Sequence, residues 1–375
     1  MVSTPPQSQD QKSRLPGAPA SQTAGHGSRR PPRVLALAAL ALVVAAVALI
    51  FALANAGSAR KQRAHRADTH HAHPTPAQHA APAAHVAHAS RFAVGMRVVH
   101  LQDPTRLIHL PNGTTEPRTL LTYVRYPAVG ASSATDVRNA PANTAAGSFP
   151  LVVFGHGFAV TPQLYRRMLV AWARAGYVVA APVFPLENAN APGGPDESDL
   201  VNQPADMSLV ISRLLAASKA GSGPFAGLID PKRIAVSGQS DGGDTALAAT
   251  YDEQFRDPRI GAAVILSGAE IPGVSGFNFA AGEPPLLAVQ GSADTVNPPS
   301  FTETFFQAAQ RPKYLLNLPG AEHLPPYSEQ QPQLGIVDRV VVAFLDAYLK
   351  QNGEALRRMR ALGNVPETAV LVAEP

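Results

Sequence analysis

Residues 233–250 read RIAVSGQSDGGDTALAAT and place a Gly-x-Ser-x-Gly pentapeptide between two different patterns. The apolar run before it is typical of a buried strand, and the Ala- and Leu-containing run after it favours a helix. In this context Ser240 is predicted to stand on a sharp strand-to-helix turn, with its hydroxyl exposed above a sheet. Gly238, Gly242 and Gly243 remove side chains that would crowd the strand against the helix. The stretch therefore favours a nucleophilic serine over a plain glycine-rich turn.

A serine hydroxyl is a weak nucleophile without a base, so a histidine is required. His323 follows the apolar run KYLLNLPG, and a loop at that point returns over the carboxyl edge of a sheet, where ligand sites form. His100 and His109 belong to the opening strands and the loop between them, and His156 is expected to support its own loop. We therefore predict His323 as the base.

The acid that orients this base should lie between Ser240 and His323 in the chain. Asp294, in the turn-rich stretch AVQGSADTVNPP, follows another predicted strand, where its carboxylate can accept the imidazole N–H. We predict Asp294 for this role. The competing acids in the interval are Asp252, Asp257, Glu270 and Glu283.

The segment FGHGF, residues 154–158, also follows an apolar run. We expect the backbone N–H groups of Phe158 and Asp241 to hold the developing oxyanion. The Asp241 carboxylate has two open interpretations: it caps the helix that begins there, or it favours substrates with a positive or hydroxyl-rich group. Phe158, with Phe277 and Phe279 of GFNFAAG, is a candidate for substrate binding, although the latter two suit ordinary packing equally well.

Beyond residue 91, apolar runs rich in Val, Ile, Leu and Ala alternate with helical patterns. RVVHL and LLTYVRYPA predict an antiparallel opening hairpin, and the later runs suit parallel strands covered on both faces. The sequence thus predicts an α/β fold over residues 91–375, with a mostly parallel, doubly wound sheet in one domain.

The chain resembles the α/β-hydrolase superfamily over roughly residues 91–352. The similarity is greatest to the chlorophyllase-like, dienelactone-hydrolase-like and platelet-activating-factor-acetylhydrolase-like esterases and to the cutinase-type polyester hydrolases. It rests on the motifs TLLTYVRYPA, VVFGHGF, GQSDGG, GSADTVNPP and AEHLPP. The resemblance implies an α/β-hydrolase fold and ester hydrolysis through an acyl-enzyme, without a metal or cofactor. Polyester hydrolases of this group carry Met after the nucleophile and a disulfide near the C-terminus, whereas this chain has Asp241 and no cysteine.

The N-terminal part differs in composition from the rest. Residues 1–33 predict a disordered tail, and residues 34–54 are uncharged and almost wholly apolar, long enough for a transmembrane anchor. Residues 55–90 form an Ala/His/Pro-rich linker. We expect a membrane-anchored enzyme whose catalytic domain is extracytoplasmic. The alternative is a secreted protein, cleaved near Ala56.

Charge and cysteine content exclude several classes of function. Residues 1–90 carry a net charge of +7 and the whole chain +4, so the predicted domain has a negative balance of −3 and no basic surface for a nucleic acid. The lack of cysteine excludes thiol catalysis and disulfides. The leading prediction is a serine carboxylic-ester hydrolase acting on a small-molecule or lipid ester. The alternatives are an envelope acyltransferase with the same triad and a non-catalytic binding protein of this fold.

Overall fold

A computed structural model of the chain describes residues 92–375. The tail 1–33, the apolar segment 34–54 and the linker 55–90 lie outside the described residues, so their predictions stay predictions. Within residues 92–375, none of the helices combines the length and the apolar character that crossing a bilayer requires.

The described residues form ten strands and seven α-helices. The strands are β1 Ala93–His109, β2 Thr115–Ala128, β3 Asp136–Arg138, β4 Phe149–Gly155, β5 Val178–Val183, β6 Ile229–Gln239, β7 Ala262–Leu266, β8 Leu286–Gly291, β9 Lys313–Leu318 and β10 Val370–Glu374. The helices are α1 Arg166–Arg174, α2 Gln203–Lys219, α3 Asp241–Tyr251, α4 Pro299–Ala308, α5 Pro325–Ser328, α6 Gln333–Tyr348 and α7 Gly353–Gly363.

The strands form one mixed sheet in the order β10-β9-β8-β7-β6-β4-β5-β2-β1-β3. The six strands from β9 to β5 in this order are mutually parallel. The predicted opening hairpin is confirmed, because β1 and β2 pair antiparallel. KYLLNLPG forms β9, and a further strand that the sequence patterns did not indicate, β10, follows it in the chain and pairs antiparallel with it. Two of the five β10 side chains are exposed and one is buried, which is why its short pattern gives no strong apolar signal.

Helices cover both faces of the sheet, as the continuous apolar strands predict. In β4, Val152 and Phe154 pack on one face, with α1, α6 and α7. Leu151 and Val153 pack on the other face, with α2, α3 and α4. Because successive strand side chains point to opposite faces, a strand buried on both sides has no polar alternation.

The β1–β2 hairpin extends beyond the carboxyl edge of the parallel strands. Leu121 of β2 pairs with Val183, the last residue of β5, so the earlier half of β2 overhangs the edge. Arg118 lies in this overhang and is 2% exposed. It donates to Asp199, in the segment between β5 and α2, and to Asp206 of α2, at distances of 2.6–3.0 Å. The ion pairs attach that segment, residues 184–202, to the hairpin.

Candidate active site

Ser240 lies at the turn between β6 and α3 with φ 55° and ψ −129°. A positive φ is uncommon for a residue with a side chain, and it costs about 1–3 kcal/mol unless the surrounding structure enforces it. The glycines explain how the turn is enforced. A Cβ on Gly238 would lie 1.9 Å from the carbonyl oxygen of Gly242, and one on Gly242 would lie 2.2 Å from that of Gly155. The spacing of glycines in the sequence therefore corresponds to close backbone contacts.

The structure brings the predicted nucleophile, base and acid together. Ser240 Oγ lies 2.9 Å from His323 Nε2, and His323 Nδ1 lies 2.8 Å from Asp294 Oδ2. With Nδ1 protonated and donating to Asp294, Nε2 is left to accept the serine proton. This is the geometry that activation of a hydroxyl requires.

Asp294 is held by more than its contact with the histidine. Its Oδ1 accepts the backbone N–H groups of Val296 and Asn297 at 3.0 and 2.9 Å, and Gln290 Nε2 donates to Oδ2 at 3.3 Å. Burial alone would raise the pKa of Asp294, but the hydrogen bonds and the charge of His323 hold this pKa below its usual value. The carboxylate is thus ionised and fixed in position at neutral pH.

The competing acids are occupied elsewhere. Asp252 directly follows α3, and its side chain accepts the Gln254 N–H. Asp257 pairs with Arg259, and Glu283 pairs with Arg256. Glu270 is half-buried after β7 and makes no hydrogen bond to His323, whose Nδ1 is taken by Asp294.

His156 is fully buried and is not placed as a base. Phe184 N–H donates to its Nε2 at 3.0 Å, so Nδ1 carries the proton and donates to the Gly157 carbonyl at 2.8 Å. Burial lowers the pKa of His156 to about 4. The neutral ring therefore joins the loop after β4 to the end of β5, in agreement with the expectation that it supports its loop.

Gln239 and Tyr165 were not singled out from the sequence. Gly157 N–H donates to the Tyr165 hydroxyl at 3.3 Å, and this hydroxyl donates to Gln239 Oε1 at 2.7 Å. Gln239 Nε2 then donates to the backbone oxygen of His323 at 3.1 Å. The network links the loop after β4, the nucleophile strand and the loop of the base. Gln239 occupies the first variable position of the Gly-x-Ser-x-Gly pentapeptide, which was the one local signal for it.

The two predicted oxyanion donors are chain neighbours of residues at the nucleophile: Asp241 follows Ser240, and Phe158 follows Gly157, on which a Cβ would lie 3.1 Å from that of Ser240. Asp241 is the first residue of α3, and Phe158 lies in the loop after β4. Neither backbone N–H has an acceptor within residues 92–375. The next amide of that loop, of Ala159, donates to the Glu187 carbonyl at 3.0 Å. Two free donors at this end of α3, where the helix dipole is positive, suit a developing negative charge.

Phe277 and Phe279 are not brought to the nucleophile. Phe279 packs on Tyr251, the last residue of α3, with ring centroids 5.0 Å apart, and Phe277 stacks on Phe279. The backbone of Phe277 also pairs with that of Asp252 in an isolated antiparallel β-bridge. An α-helix rises about 1.5 Å per residue, so Tyr251 lies about 16 Å along α3 from Ser240. Phe277 also packs against Leu200, Ala248 and Ile271. These contacts favour ordinary packing, one of the two interpretations that the sequence left open.

The Asp241 side chain has surroundings that the sequence did not predict. It lies in the first turn of α3, but no backbone N–H of residues 92–375 donates to its Oδ2, so it does not complete the hydrogen-bonded cap of the first interpretation. Its Oδ1 lies 3.5 Å from Ser240 Oγ, and its Oδ2 has no partner within residues 92–375. Its carboxyl group contacts that of Glu187, a fully buried residue of the 184–202 segment. No local motif marked Glu187.

A cavity of about 400 Å³ lies between the hairpin overhang and the 184–202 segment. Arg106, His109 and Arg118 line one side, and Leu186, Ser198 and Asp199 line the other. The predicted catalytic residues do not line it. Within the part of the chain that the structure describes, no group of His, Asp and Glu side chains has an arrangement that could hold a metal ion.

Comparison with known proteins agrees with this architecture. Residues 135–288 match the model of the Chlorophyllase family. The described domain superposes on a ferulic acid esterase from Streptomyces cinnamoneus with a TM-score of 0.53 and 21% identity, over 71% of this chain and 93% of that one. The chain has an α/β-hydrolase fold. The matches support the prediction that this α/β-hydrolase is a serine ester hydrolase.

The match to a curated relative covers a smaller part of this chain than the structural superposition does. The chain is 30% identical to the uncharacterized protein YfhR of Escherichia coli O157:H7 over 119 residues. The alignment includes 27% of this chain and 42% of the relative, so it spans less than half of that protein's length.

Proposed function

We propose that this α/β-hydrolase is a carboxylic-ester hydrolase that acts through an acyl-enzyme on Ser240. The observation that carries the proposal is the pair of contacts from Ser240 Oγ to His323 Nε2, 2.9 Å, and from His323 Nδ1 to Asp294 Oδ2, 2.8 Å. The strained turn at Ser240 and the free amides beside it supply the other parts that acyl transfer needs. The match of residues 135–288 to the Chlorophyllase family supports an ester as substrate.

In the first half-reaction, Ser240 Oγ attacks the ester carbonyl carbon while its proton passes to His323 Nε2. The carbonyl oxygen becomes an oxyanion, which the N–H groups of Phe158 and Asp241 stabilise. The C–O bond to the leaving alcohol then breaks, and the alcohol takes the proton from His323. Asp294 stays ionised and stabilises the imidazolium that exists between the two proton transfers.

In the second half-reaction, water replaces the alcohol. His323 Nε2 takes a proton from the water as its oxygen attacks the acyl carbon, and the same amides hold the second oxyanion. Collapse releases the carboxylic acid and returns the proton to Ser240 Oγ. An acceptor hydroxyl in place of water would make the protein an acyltransferase, and product analysis with added alcohols distinguishes the two.

The test uses the full chain with p-nitrophenyl butanoate and a fluorophosphonate probe. The wild type should hydrolyse the ester and become labelled, and Ser240→Ala should lose labelling and about 10³-fold or more of kcat. Ser300→Ala, which changes an exposed serine of α4, is the matched control and should keep both. Labelling or hydrolysis that survives in Ser240→Ala would refute the mechanism.

We also propose that the catalytic domain is extracytoplasmic and anchored by residues 34–54. The support for the anchor is the length and apolar character of that segment, while the basic residues on its two sides nearly balance and leave the orientation to the experiment. Membrane fractionation of cells that express the full chain, with external protease applied to intact spheroplasts, tests it. Recovery in the soluble fraction after cleavage near Ala56 would favour the secreted alternative.

A further inference from the structure

Two carboxyl groups beside the nucleophile have each other as hydrogen-bond partners, and the donors that usually surround a buried carboxylate are missing from Glu187 and from Asp241 Oδ2. Glu187 is fully buried, and both its side-chain oxygens are without a donor within residues 92–375. Asp241 is 9% exposed, its Oδ2 is without a donor, and its Oδ1 faces Ser240 Oγ at 3.5 Å. The two carboxyl groups contact each other. Asp241 therefore brings its carboxyl group next to the reacting hydroxyl, and Glu187 lies against it.

Acids dominate the electrostatic surroundings of this pair. Among residues 92–375, the charged groups with the largest effect on Glu187 are Asp241, Asp199 and Asp244. Asp241 also acts on the buried carboxyl of Asp244 and on the carboxyl of Glu197, an exposed residue. Arg118, the buried arginine of this region, gives its hydrogen bonds to Asp199 and Asp206. The surroundings of Glu187 and Asp241 therefore contain more carboxyl groups than cations.

Such an arrangement opposes the proposed chemistry unless something neutralises it. A carboxylate next to the oxyanion raises the energy of the transition state through like-charge repulsion, and an unpaired buried carboxyl has a large desolvation penalty. A proton reduces the charge in the free protein: burial, together with the hydrogen bond and charge of Asp241, raises the pKa of Glu187 to about 11. One negative charge still remains on the pair, and apart from the proton that the two carboxyls share, no donor within residues 92–375 reaches Asp241 Oδ2.

We propose that Glu187 and Asp241 form a subsite for a positively charged group of the substrate, an ammonium or guanidinium attached within a few bonds of the ester carbon. The proposal rests on the function proposed above and deepens it. A cation supplies the missing donors and cancels the charge beside the oxyanion at once. A neutral hydroxyl-rich group fits less well, because it brings acceptors as well as donors to a place where acceptors already prevail. The 3.5 Å distance from Asp241 to Ser240 sets the short separation from the ester carbon.

The experiment compares esters that differ only by charge. One pair has the charge on the acyl side, p-nitrophenyl 3-aminopropanoate against p-nitrophenyl butanoate, and one has it on the alcohol side, butanoylcholine against 3,3-dimethylbutyl butanoate. Each kcat/KM is divided by the rate of spontaneous hydrolysis. The full chain should prefer the cationic member of at least one pair by about tenfold or more, the size of one charge-assisted hydrogen bond.

Variants assign the preference to the subsite. Glu187→Gln and Asp241→Asn should each reduce the cationic-to-neutral ratio towards one, while Glu367→Gln, an exposed acid near the C-terminus, should keep the wild-type ratio. Wild-type hydrolysis of the neutral esters with no preference for the cationic ones would overturn the subsite and leave the proposed function intact. If the wild type hydrolyses no ester and takes up no fluorophosphonate, the proposed function fails and the subsite fails with it.

Discussion

Asp294 is linked to Ser240 through His323, and Asp241 lies directly against Ser240. The two carboxylates have opposite surroundings. Asp294 accepts two backbone N–H groups on one oxygen, and His323 and Gln290 donate to the other. Asp241 has no donor on Oδ2, faces Ser240 with Oδ1 and contacts a second acid, Glu187. Both oxygens of the Asp294 carboxylate have hydrogen-bond donors within residues 92–375, whereas Asp241 Oδ2 has no such donor apart from the carboxyl of Glu187.

The difference indicates what each acid does. A carboxylate with every lone pair used is fixed in position and can only orient its neighbour, as Asp294 orients the base. An acid that keeps unpaired oxygens while buried pays a desolvation cost that a ligand can remove. In our proposals the Asp294 side therefore carries the proton transfer, whereas the Asp241 side selects the substrate.

The largest effect is expected on the Asp294 side. Asp294→Asn should reduce kcat about 10⁴-fold, because an amide cannot hold the imidazole in the tautomer that accepts the serine proton. Steady-state hydrolysis of p-nitrophenyl butanoate measures it, and Asp257→Asn, on an acid that pairs with Arg259 away from the site, is the control. A loss of less than tenfold in Asp294→Asn would show that the base does not depend on this carboxylate.

The next largest effect concerns the segment that carries Glu187. Arg118→Met should lower the free energy of unfolding by about 3–5 kcal/mol, because it leaves Asp199 buried without its cation and leaves Asp206 with Arg106 alone. Urea unfolding measures the change. Arg233→Met removes an arginine whose pair with Asp230 is partly exposed, and it should cost less than about 1 kcal/mol. Equal losses in the two variants would contradict the structural role given to Arg118.

A pH dependence of stability is expected from His156, which links the loop after β4 to the segment before Glu187. Its pKa is lowered from 6.5 to about 4 in the folded chain, so the unfolded chain binds more protons between these values. His156 therefore contributes stability above pH 6.5, and about 3 kcal/mol of it should be lost as the pH falls to about 4.

Urea unfolding at several pH values tests this dependence. His156→Gln should lack that part of the decline, while His100→Gln, at an exposed position of β1, should retain it. If the two variants lose stability in parallel as the pH falls, another group is responsible.

A smaller effect is expected from Gln239, a positioning residue for the base. Gln239→Leu removes the donor to the His323 carbonyl and the acceptor of the Tyr165 hydroxyl, so kcat should fall about tenfold with little change in KM. Tyr165→Phe, which breaks the other end of the same network, should reduce kcat less. A rise in KM with kcat preserved would assign Gln239 to substrate binding instead.

Local patterns predicted the parallel strands and the parts of the site that follow them. Ser240, Asp294 and His323 each come directly after an apolar strand, and the carboxyl ends of parallel strands meet at one edge of a sheet. Their chain order and the glycines at the turn were readable for the same reason. The helix α7 and the short strand β10 were missed, because α7 buries only three small or medium-sized residues and β10 buries one, so neither has a long apolar run.

Patterns failed where a role depends on what lies across the fold. The aromatic stretch with Phe277 and Phe279 suggested a pocket, but the structure packs these rings against the far end of α3. Glu187 carries no motif, and only the folding of the 184–202 segment over the sheet edge brings it to Asp241. Tertiary contacts between distant segments are not encoded in any short window of residues.

The sequence by itself determined that GQSDGG is a strand-to-helix turn and that a serine stands on it. Its physical reason is local, since a backbone approach as close as that of Gly238 and Gly242 admits no side chain. Only the tertiary structure decided what the next residue does. Asp241 is an ordinary helix-capping candidate in the sequence, and its carboxylate becomes an unpaired acid beside the nucleophile because burial removes water and Glu187 arrives from another segment.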